Sequence, residues 1–448
     1  MAIRSLVRSP VGRGFIMIAV MSAAFGLAVN AQNAIVTNFF EDLLHLKGPE
    51  FGYITSIREV GGFLLIFLTA VLYKVSLQRV TAGALALLGI GFALYGFANS
   101  FLSVVPWVIL ASVGMHTVLQ TQYSLGMSLT SESKSGSILG RIQAIGQAGI
   151  VAGLVLMFVV FHFHLASYRT TFIILGVIAA VGALAILRFP HLHEGQIRKT
   201  APKREPIVLK RDYRYYYILN ILDGARQQVF FSFGLWVLVN HFLLSVSQIS
   251  LVLLGVAFVS MVSSAWIGRR IDRHGEKLVL SVVNVAYVVA LAGFALAGNV
   301  WLAALCYLVY AFISPISSIA ATTYVRKIAV HEDVAPTLAM GVTLLHATAI
   351  VVPVAAGYIL NFVGYRIPFF IACLFALAAI TVNRRLDPAQ QKSAERLAAD
   401  RIGTGEPAWL SGEDAAAEVR TVIMATDGGP GEEIAAQAAI ESIVERTE

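Results

Sequence analysis

Charged residues and cysteines are both scarce in this chain. Of its 448 residues, 13% are Asp, Glu, Lys or Arg and 57% are hydrophobic, whereas a soluble domain usually carries about 25% charged residues. This composition excludes an ordinary soluble protein. The two cysteines, Cys306 and Cys373, lie inside apolar stretches, where we expect them to pack as small side chains and not to form a disulfide or a metal pair.

Several catalytic motifs are absent as well. The sequence has no G-x-x-x-x-G-K-S/T loop, which excludes ATP hydrolysis by a loop of that kind. It has neither a histidine-rich metal cluster nor a nucleophile elbow. An enzyme is therefore the least expected class, and we expect no catalytic residues, no cofactor and no metal site.

Long apolar stretches are what the sequence has in abundance. Twelve of them lie between 15 and 382, six on each side of a basic polar connector. A helix needs roughly 20 apolar residues to cross the hydrocarbon core of a bilayer, and it satisfies its own backbone hydrogen bonds there. The pattern predicts an all-α membrane protein with twelve transmembrane helices.

Positive charges are distributed unevenly among the connectors. Lys and Arg are concentrated at the start, in the central connector and in alternate loops, whereas the opposite loops hold only Lys47, Arg169 and Arg366. By the positive-inside rule, the N-terminus, the central connector and the C-terminus are cytoplasmic, as in a multi-pass protein of the cytoplasmic (inner) membrane. This placement accounts for the net charge of +7, so no nucleic-acid partner is expected.

Changes in composition divide the chain into four parts. We expect an N-terminal six-helix bundle over 1–188, a cytoplasmic linker over 189–212, a C-terminal six-helix bundle over 213–385 and a polar cytoplasmic tail over 386–448. The linker contains three prolines and many charges, a composition typical of a flexible connection between two bundles.

The connector between the eighth and ninth stretches reads GRRIDRHGEK. It places Gly268, Asp272, Arg273, Gly275 and Lys277 at the defined positions of a G-x-x-x-D-R-x-G-x-K/R loop, in which the glycines permit close helix approach and a tight turn. This loop resembles that of the major facilitator superfamily, and the resemblance covers about 14–385. It implies two six-helix bundles related by pseudo-symmetry, with alternating access of a small-molecule substrate to a site between them, and it makes these five residues a conformational loop.

The equivalent loop of the first half departs from the superfamily pattern. It reads TAVLYKVSLQR, with Tyr73 in the place of the aspartate and only Lys74 in its expected place. In the superfamily this loop belongs to a charge latch that holds the outward-facing state, so the departure puts that latch in question.

Two further features support alternative functions. Gly140, Gly149 and Gly153 match the spacing of the antiporter signature of drug and metabolite exporters in the same superfamily, although Leu154 replaces the glycine that should follow. The tail over 419–445 resembles the start of a universal stress protein domain. Together with the altered first-half loop, the tail raises the alternative of a membrane sensor or assembly protein that no longer transports.

Polar side chains inside the apolar stretches mark a candidate substrate cavity, because such groups are costly in lipid and usually face a cavity or a partner. In the superfamily the first, fourth, seventh and tenth helices line the central cavity. The cavity candidates, most of them on those helices and one on the second, are Asn30, Asn33, Arg58, His116, Gln120, Asp223, Arg226, Gln227, Ser314 and Ser318. This mixed set fits a small polar or amphipathic solute better than a bare inorganic ion.

Proton coupling needs a group that can change its charge inside the membrane. Glu59 and Asp223 are the acidic residues well inside the stretches, and His346 has a side chain whose unperturbed pKa is near physiological pH. These three are the coupling candidates. The sequence as a whole predicts a monomeric, proton-coupled secondary active transporter of a small solute in the lipid bilayer, with a drug or metabolite efflux antiporter and a non-transporting protein as the alternatives.

Overall fold

The computed structural model describes residues 9–72, 74–130, 135–190 and 209–397, with the backbone alone at 63, 65–71, 135, 262–272 and 274. These residues form helices and turns, and they contain no strand. The helices of the first half are α1 Pro10–Asp42, α2 Gly48–Val71, α3 Leu77–Tyr95, α4 Phe101–Met127, α5 Ser135–His162 and α6 Tyr168–Leu187.

The second half begins with the short 3₁₀ turn Arg211–Tyr213. Helix α7 then runs over Arg214–Gln228, continues as a π-helical turn at Val229–Phe233 and ends as Gly234–Asn240. The remaining helices are α8 Val246–His274, α9 Glu276–Ala295, α10 Val300–Ile328, α11 His331–Val363 and α12 Arg366–Asn383.

Polar side chains mark several helix starts. The side chains of Ser9, Ser100, Ser167 and Asn299 each accept a hydrogen bond from a backbone N–H in the first turn of the helix that follows. Such caps satisfy donors that have no partner within the helix. The boundaries of α1, α4, α6 and α10 are therefore determined locally by the sequence.

Nine helices are long and apolar enough to cross a membrane, judged over the described residues. The other three are α2, α7 and α8. Helix α7 is divided by its π-helical turn, and α2 and α8 enter this count only through those of their residues whose side chains are described. All three pack among the apolar helices, so they belong to the same membrane layer.

The two halves repeat one packing scheme. In the first half α1 packs on α5 and α6, while α3 packs on α4 and α6. In the second half α7 packs on α11 and α12, while α9 packs on α10 and α12. A backbone detail recurs as well, because His45 after α1 and Leu243 after α7 both have a positive φ. In each case the N–H of the following residue donates to a carbonyl six residues earlier in the chain, Leu46 to Phe40 and Leu244 to Leu238. Two parallel structural repeats therefore build the fold.

The halves meet along α2 and α11, with further contacts between α5 and α8 and between α1 and α7. We call the end where α6 stops and α7 starts the linker side, and the opposite end the far side. On the far side Asn38 donates to Leu244 O at 2.8 Å, Asn240 donates to Glu41 at 2.7 Å, and the Tyr53 and Tyr358 hydroxyls are 3.1 Å apart. These bonds close the far side.

Close approach of α2 to α11 depends on Gly52, because a Cβ there would collide with the backbone of Pro353. Gly52→Leu should therefore prevent closure of the far side. The probe is Thr55→Cys, at a buried position, in a protein whose two native cysteines are replaced by alanine. A membrane-impermeant maleimide applied from the far side of sealed vesicles should label this cysteine at least several-fold faster with Gly52→Leu than with Gly52 unchanged. Gly83→Leu is the matched control, because open space surrounds Gly83. Equal rates in the two variants would contradict this account of closure.

The described part of the tail returns to the linker side of the second half. Ser393 N–H bonds Ile328 O at 3.0 Å, and Tyr324 donates to Gln391 at 2.7 Å. Lys210 lies 2.6 Å from Asp333 and 2.7 Å from Glu395. Hydrogen bonds to these two carboxylates raise the pKa of the Lys210 ammonium, so the ion pairs keep their charge at physiological pH. Residues 419–445, which resemble a universal stress protein, lie outside the described part of the chain.

Candidate functional site

A carboxylate and an imidazole meet where the two halves join in the middle of the membrane layer. The Nδ1 atom of His346 on α11 lies 3.1 Å from Oε2 of Glu59 on α2. The side chain of Glu59 is 13% exposed and that of His346 is 30% exposed. This contact joins two of the three predicted coupling candidates across the interface between the halves.

A second histidine stands beside this pair. His116 on α4 has its ring centroid 5.8 Å from that of His346, and its Nδ1 lies 2.9 Å from the carbonyl oxygen of Ser112. A hydrogen bond to that carbonyl holds the proton on Nδ1 and leaves Nε2 as an acceptor. One donor atom from each of Glu59, His116 and His346 lies within 4.8 Å of the others, a spacing that a metal ion could bridge. The hydrogen bonds already made give each of the three groups a partner without a metal ion.

A cavity of about 260 Å³ adjoins Glu59 through its sequence neighbour Arg58. Residues of both halves form its walls. The lining residues are Asn30, Gln32, Asn33, Val36, Thr37, Phe40, Phe51, Ile54, Thr55, Arg58, Tyr95, Phe231, Ser232, Leu235, Leu253, Val256 and Tyr307. The cavity therefore lies between the halves, and the far-side contacts described above separate it from that surface.

Three of the predicted cavity residues, Asn30, Asn33 and Arg58, line this cavity. Asn30, Asn33, Thr37 and Phe40 lie three or four residues apart and so share one face of α1. Gln32, a further polar residue of the same helix, lines the cavity too, whereas the sequence alone did not indicate Thr37, Thr55, Tyr95, Phe231 or Tyr307. The helical spacing from Asn30 onward was a signal for Thr37, whereas the aromatic residues look in sequence like any membrane-facing side chain.

The remaining cavity candidates lie elsewhere. Gln227 and Ser314 are joined by a hydrogen bond of 3.4 Å between α7 and α10. Gln120 and Ser318 are exposed. None of these four is among the residues that line the cavity.

Asp223 and Arg226 form the predicted intrahelical pair, with 3.0 Å between Arg226 Nη2 and Asp223 Oδ1. The side chain of Arg226 is only 3% exposed, and its Cζ lies 3.2 Å from the centroid of the Tyr287 ring. Arg226 Nη1 also donates a longer hydrogen bond, of 3.5 Å, to Oδ1 of Asn284. These contacts place Arg226 in the interior of the second half, against α9, and not at the wall of the cavity.

The π-helical turn of α7 orients side chains in two directions. Phe230 and Phe233 are fully buried in the second half, where the Phe230 ring stacks on Tyr310 with centroids 3.8 Å apart. Phe231 and Ser232 line the cavity instead. An extra residue in a helical turn shifts the faces of a helix in this way and is frequent at functional sites.

The sequence matches the Major Facilitator Superfamily over residues 16–223 and again over 216–417. The chain belongs to this superfamily. Its architecture agrees, which confirms the predicted all-α membrane fold of twelve helices in two bundles. Family and fold together identify the protein as a multi-pass membrane transporter and not as an enzyme.

Several solved structures share the superfamily fold with this chain. The nucleoside transporter NupG aligns with a TM-score of 0.70 and 15% identity, over 83% of this chain and 100% of NupG. A bacterial homologue of the lysosomal transporter Spinster, in an inward-facing and unoccupied conformation, aligns with a TM-score of 0.69 and 11% identity, over 87% and 99%. A bacterial homologue of the iron transporter ferroportin, in an inward-facing state, gives 0.67 and 14%, over 83% and 98%. No curated protein sequence matches the chain.

The superfamily loop between α8 and α9 is described in part. Gly275 has φ of +76°, which L side chains rarely adopt, and it caps α9. Arg273 and Lys277 are exposed. Within the motif, Glu276 is buried and pairs with Lys327 of α10 at 2.8 Å, a contact that the sequence alone did not indicate. For Gly268 and Asp272 the structure describes the backbone alone.

The glycines that resemble the antiporter signature have a packing role in this superfamily member. A Cβ on Gly149 or Gly153 would collide with the backbone of α1, at Ala23 or Leu27. Open space surrounds Gly140. Close contact between α5 and α1 therefore explains two of the three glycines without reference to antiport.

Proposed function

We propose that this protein is a proton-coupled secondary transporter that moves a small polar or amphipathic solute across the cytoplasmic membrane by alternating access. The observation that carries the proposal is the Glu59–His346 contact of 3.1 Å. It bridges the halves beside the cavity, so a change in its protonation alters the interaction that holds α2 to α11.

The arrangement provides a coupling mechanism. Protonation of Glu59 removes the acceptor charge that attracts His346, which weakens the closed far side. Because Arg58 Nε lies 4.0 Å from Glu59 Oε1, the same proton also changes the electrostatic field at the cavity wall. Proton binding and solute binding are then linked, and linkage of this kind acts equally in both directions.

The orientation belongs to the same proposal. The linker side is taken as cytoplasmic, with the N-terminus, the linker 189–212 and the tail 386–448 on that side, because the basic connectors lie there. Under this orientation the closed far side faces outward, and the cavity loads or unloads from the cytoplasm. One chain contains both halves of the cavity, which supports a monomeric transporter.

The test uses the purified full-length protein in vesicles that enclose a pH indicator. Addition of a fractionated metabolite extract outside should change the internal pH in vesicles with protein and leave empty vesicles unchanged. A proton gradient should in turn drive solute from an active fraction into the lumen, detected by mass spectrometry. Solute movement that is indifferent to the gradient, with no accompanying pH change, would refute proton coupling.

Removal of the tail separates a transporter from a sensor. Truncation after Arg385 deletes half-buried Gln391 and exposed Glu395, which contact the linker side, together with the buried Leu386 and Ser393. We expect solute-driven pH change to remain within about twofold of the full chain, because surface ion pairs contribute only about 0–1 kcal/mol each. Complete loss of flux from a truncated protein that still folds would instead favour the sensor or assembly alternative.

A further inference from the structure

The two halves contribute chemically different walls to the cavity. The first half contributes the amides Asn30, Gln32 and Asn33, two threonines and Arg58, and in addition the apolar and aromatic side chains Val36, Phe40, Phe51, Ile54 and Tyr95. The second half contributes mainly apolar and aromatic side chains, namely Phe231, Leu235, Leu253, Val256 and Tyr307, with Ser232 as its small polar member. Apart from Ser232 and the hydroxyl of Tyr307, the polar groups of the lining belong to the first half, whereas its apolar surface comes from both halves. A solute that fills this cavity therefore meets hydrogen-bonding groups and an apolar surface.

Arg58 is the one charged residue among those that line the cavity, over the residues described. Its side chain keeps 38% of its surface accessible although it lies in the middle of the membrane layer. Among the described groups, none accepts a hydrogen bond from its buried Nε. A guanidinium binds a carboxylate through paired hydrogen bonds, so the accessible part of this side chain offers an anion a binding group at the cavity wall.

Glu59 does not neutralise Arg58 fully. The closest ion-pair distance between them is 4.0 Å, from Nε to Oε1, whereas the other carboxylate oxygen of Glu59 lies 3.1 Å from His346. The carboxylate is thus shared between a cation on its own helix and a histidine on α11. Positive charge remains available at the cavity wall.

The size of the cavity limits the solute. Its volume of about 260 Å³ falls just below the range of roughly 300–1,000 Å³ that is usual for drug-sized ligands. One ring or a short alkyl chain, together with one polar head, fills such a space. A large solute does not fit this volume, and the charge of a multiply charged anion is not balanced by one guanidinium.

Resting on the transport function proposed above, we infer that the solute is a small amphipathic monocarboxylate. Its carboxylate binds Arg58 and the amide-rich wall of α1 and α2, and its apolar part packs against Phe231, Leu253 and Tyr307. Because such a solute contacts both halves at once, an occupied cavity ties the halves together. This is the arrangement that an alternating-access carrier needs for its occluded state.

Carboxylate binding and proton uptake should strengthen each other. The titratable groups that face Glu59 are His116 on α4 and His346 on α11, and the fixed charge beside it is Arg58 on α2. Protonation of Glu59 removes a negative charge, and protonation of either histidine adds a positive one. Each of these events makes the site more attractive to an anion, so affinity should rise as the pH falls, and a proton and a carboxylate should move in the same direction.

The experiment measures binding to the purified full-length protein by calorimetry and by thermal shift, with matched probe pairs. The carboxylates are 3-phenylpropanoate and hexanoate, their neutral partners are the corresponding amides, and acetate lacks the apolar part. We expect each larger carboxylate to bind at least about tenfold more tightly than its amide and than acetate. From pH 8 to pH 6 the affinity for 3-phenylpropanesulfonate, which stays ionised throughout, should rise several-fold.

Substitutions at Arg58 locate the effect. Arg58→Gln should remove the preference for carboxylate over amide, and Arg58→Lys should keep part of it. Arg169→Gln is the control, because Arg169 is an exposed far-side cation that lies over the Phe97 ring at 4.0 Å, away from the cavity. If the Arg58 variants fail to fold, the probe pairs on the unmodified protein still decide the question.

Equal binding of acids and amides, binding of no probe in the panel, or an unchanged preference in Arg58→Gln would each overturn the inference. These failures differ from failure of the transport proposal. Extract-driven proton movement without binding of any carboxylate would leave proton-coupled transport standing and exclude this solute class. Carboxylate binding in vesicles that never move protons would support the solute class and refute proton coupling.

Discussion

Glu59→Gln should abolish solute-driven proton movement, with a decrease of at least about tenfold in the initial rate. The amide has nearly the shape of the protonated acid, so the variant should fold, with the contact between α2 and α11 weakened as it is when Glu59 is protonated. It cannot release a proton, so coupling is lost. Exchange of labelled for unlabelled solute in the absence of a gradient should persist, because glutamine resembles the protonated acid.

Glu50→Gln is the matched control on the same helix. Glu50 lies at the far-side start of α2, where its carboxylate accepts a hydrogen bond from the Lys47 N–H at 2.9 Å. The rate of this variant should stay within about twofold of the unmodified protein, because Glu50 is a half-buried group at a helix start, outside the contact between Glu59 and His346. All of these measurements contain a chelator, so that a metal ion at Glu59, His116 and His346 cannot replace the proton. Retention of both rate and pH dependence in Glu59→Gln and in His346→Asn would exclude coupling through this contact.

Arg226→Met should destabilise the protein strongly, by about 3–5 kcal/mol, because removal of one partner leaves the other charge buried without compensation. The charge left behind is Asp223, 3.0 Å from Arg226 in the native structure. The contact of the guanidinium with the Tyr287 ring is lost at the same time. Thermal unfolding in detergent and the midpoint of an SDS titration would report the change.

The double variant Asp223→Asn with Arg226→Met tests the reason for this loss. With both charges removed, most of the stability should return, because a neutral amide is far less costly to bury than an unpaired carboxylate. Arg384→Met, a change of the same size at an exposed position, should leave the unfolding temperature nearly unchanged. If Arg226→Met instead kept its stability and lost solute binding, a direct role in transport would be indicated for Arg226.

The contrast between Asp223 and Glu59 shows why position within a helix bundle matters. Both are acidic residues inside predicted membrane helices, and from the sequence alone both are coupling candidates. Asp223 is paired within its own helix, next to an arginine sealed in the second half, whereas Glu59 contacts a residue of the other half. Movement of the halves changes the surroundings of Glu59 far more than those of Asp223, which favours Glu59 as the proton carrier.

The cavity shows how far helical periodicity reaches. Asn30 and Asn33 could be selected because polar groups at helical spacing in an apolar segment mark one face. Phe231 and Tyr307 could not, because an aromatic side chain that lines a cavity has the same sequence signature as one that faces lipid. The π-helical turn that orients Phe231 also has no clear local signal, and its side chains are placed by packing against Tyr310 and Phe294.

The sequence by itself determined that this protein lies in a lipid bilayer, and it determined the fold class and the family. Apolar length, charge asymmetry and the GRRIDRHGEK loop are local properties, and lipid imposes one backbone solution on each long apolar segment. Only the tertiary structure decided which polar residues act together. Glu59 and His346 are 287 positions apart in the chain, and Arg226 is turned inward by a tyrosine on another helix. Side-chain direction in a membrane bundle depends on helix rotation and on neighbouring helices, and no short stretch of sequence contains that information.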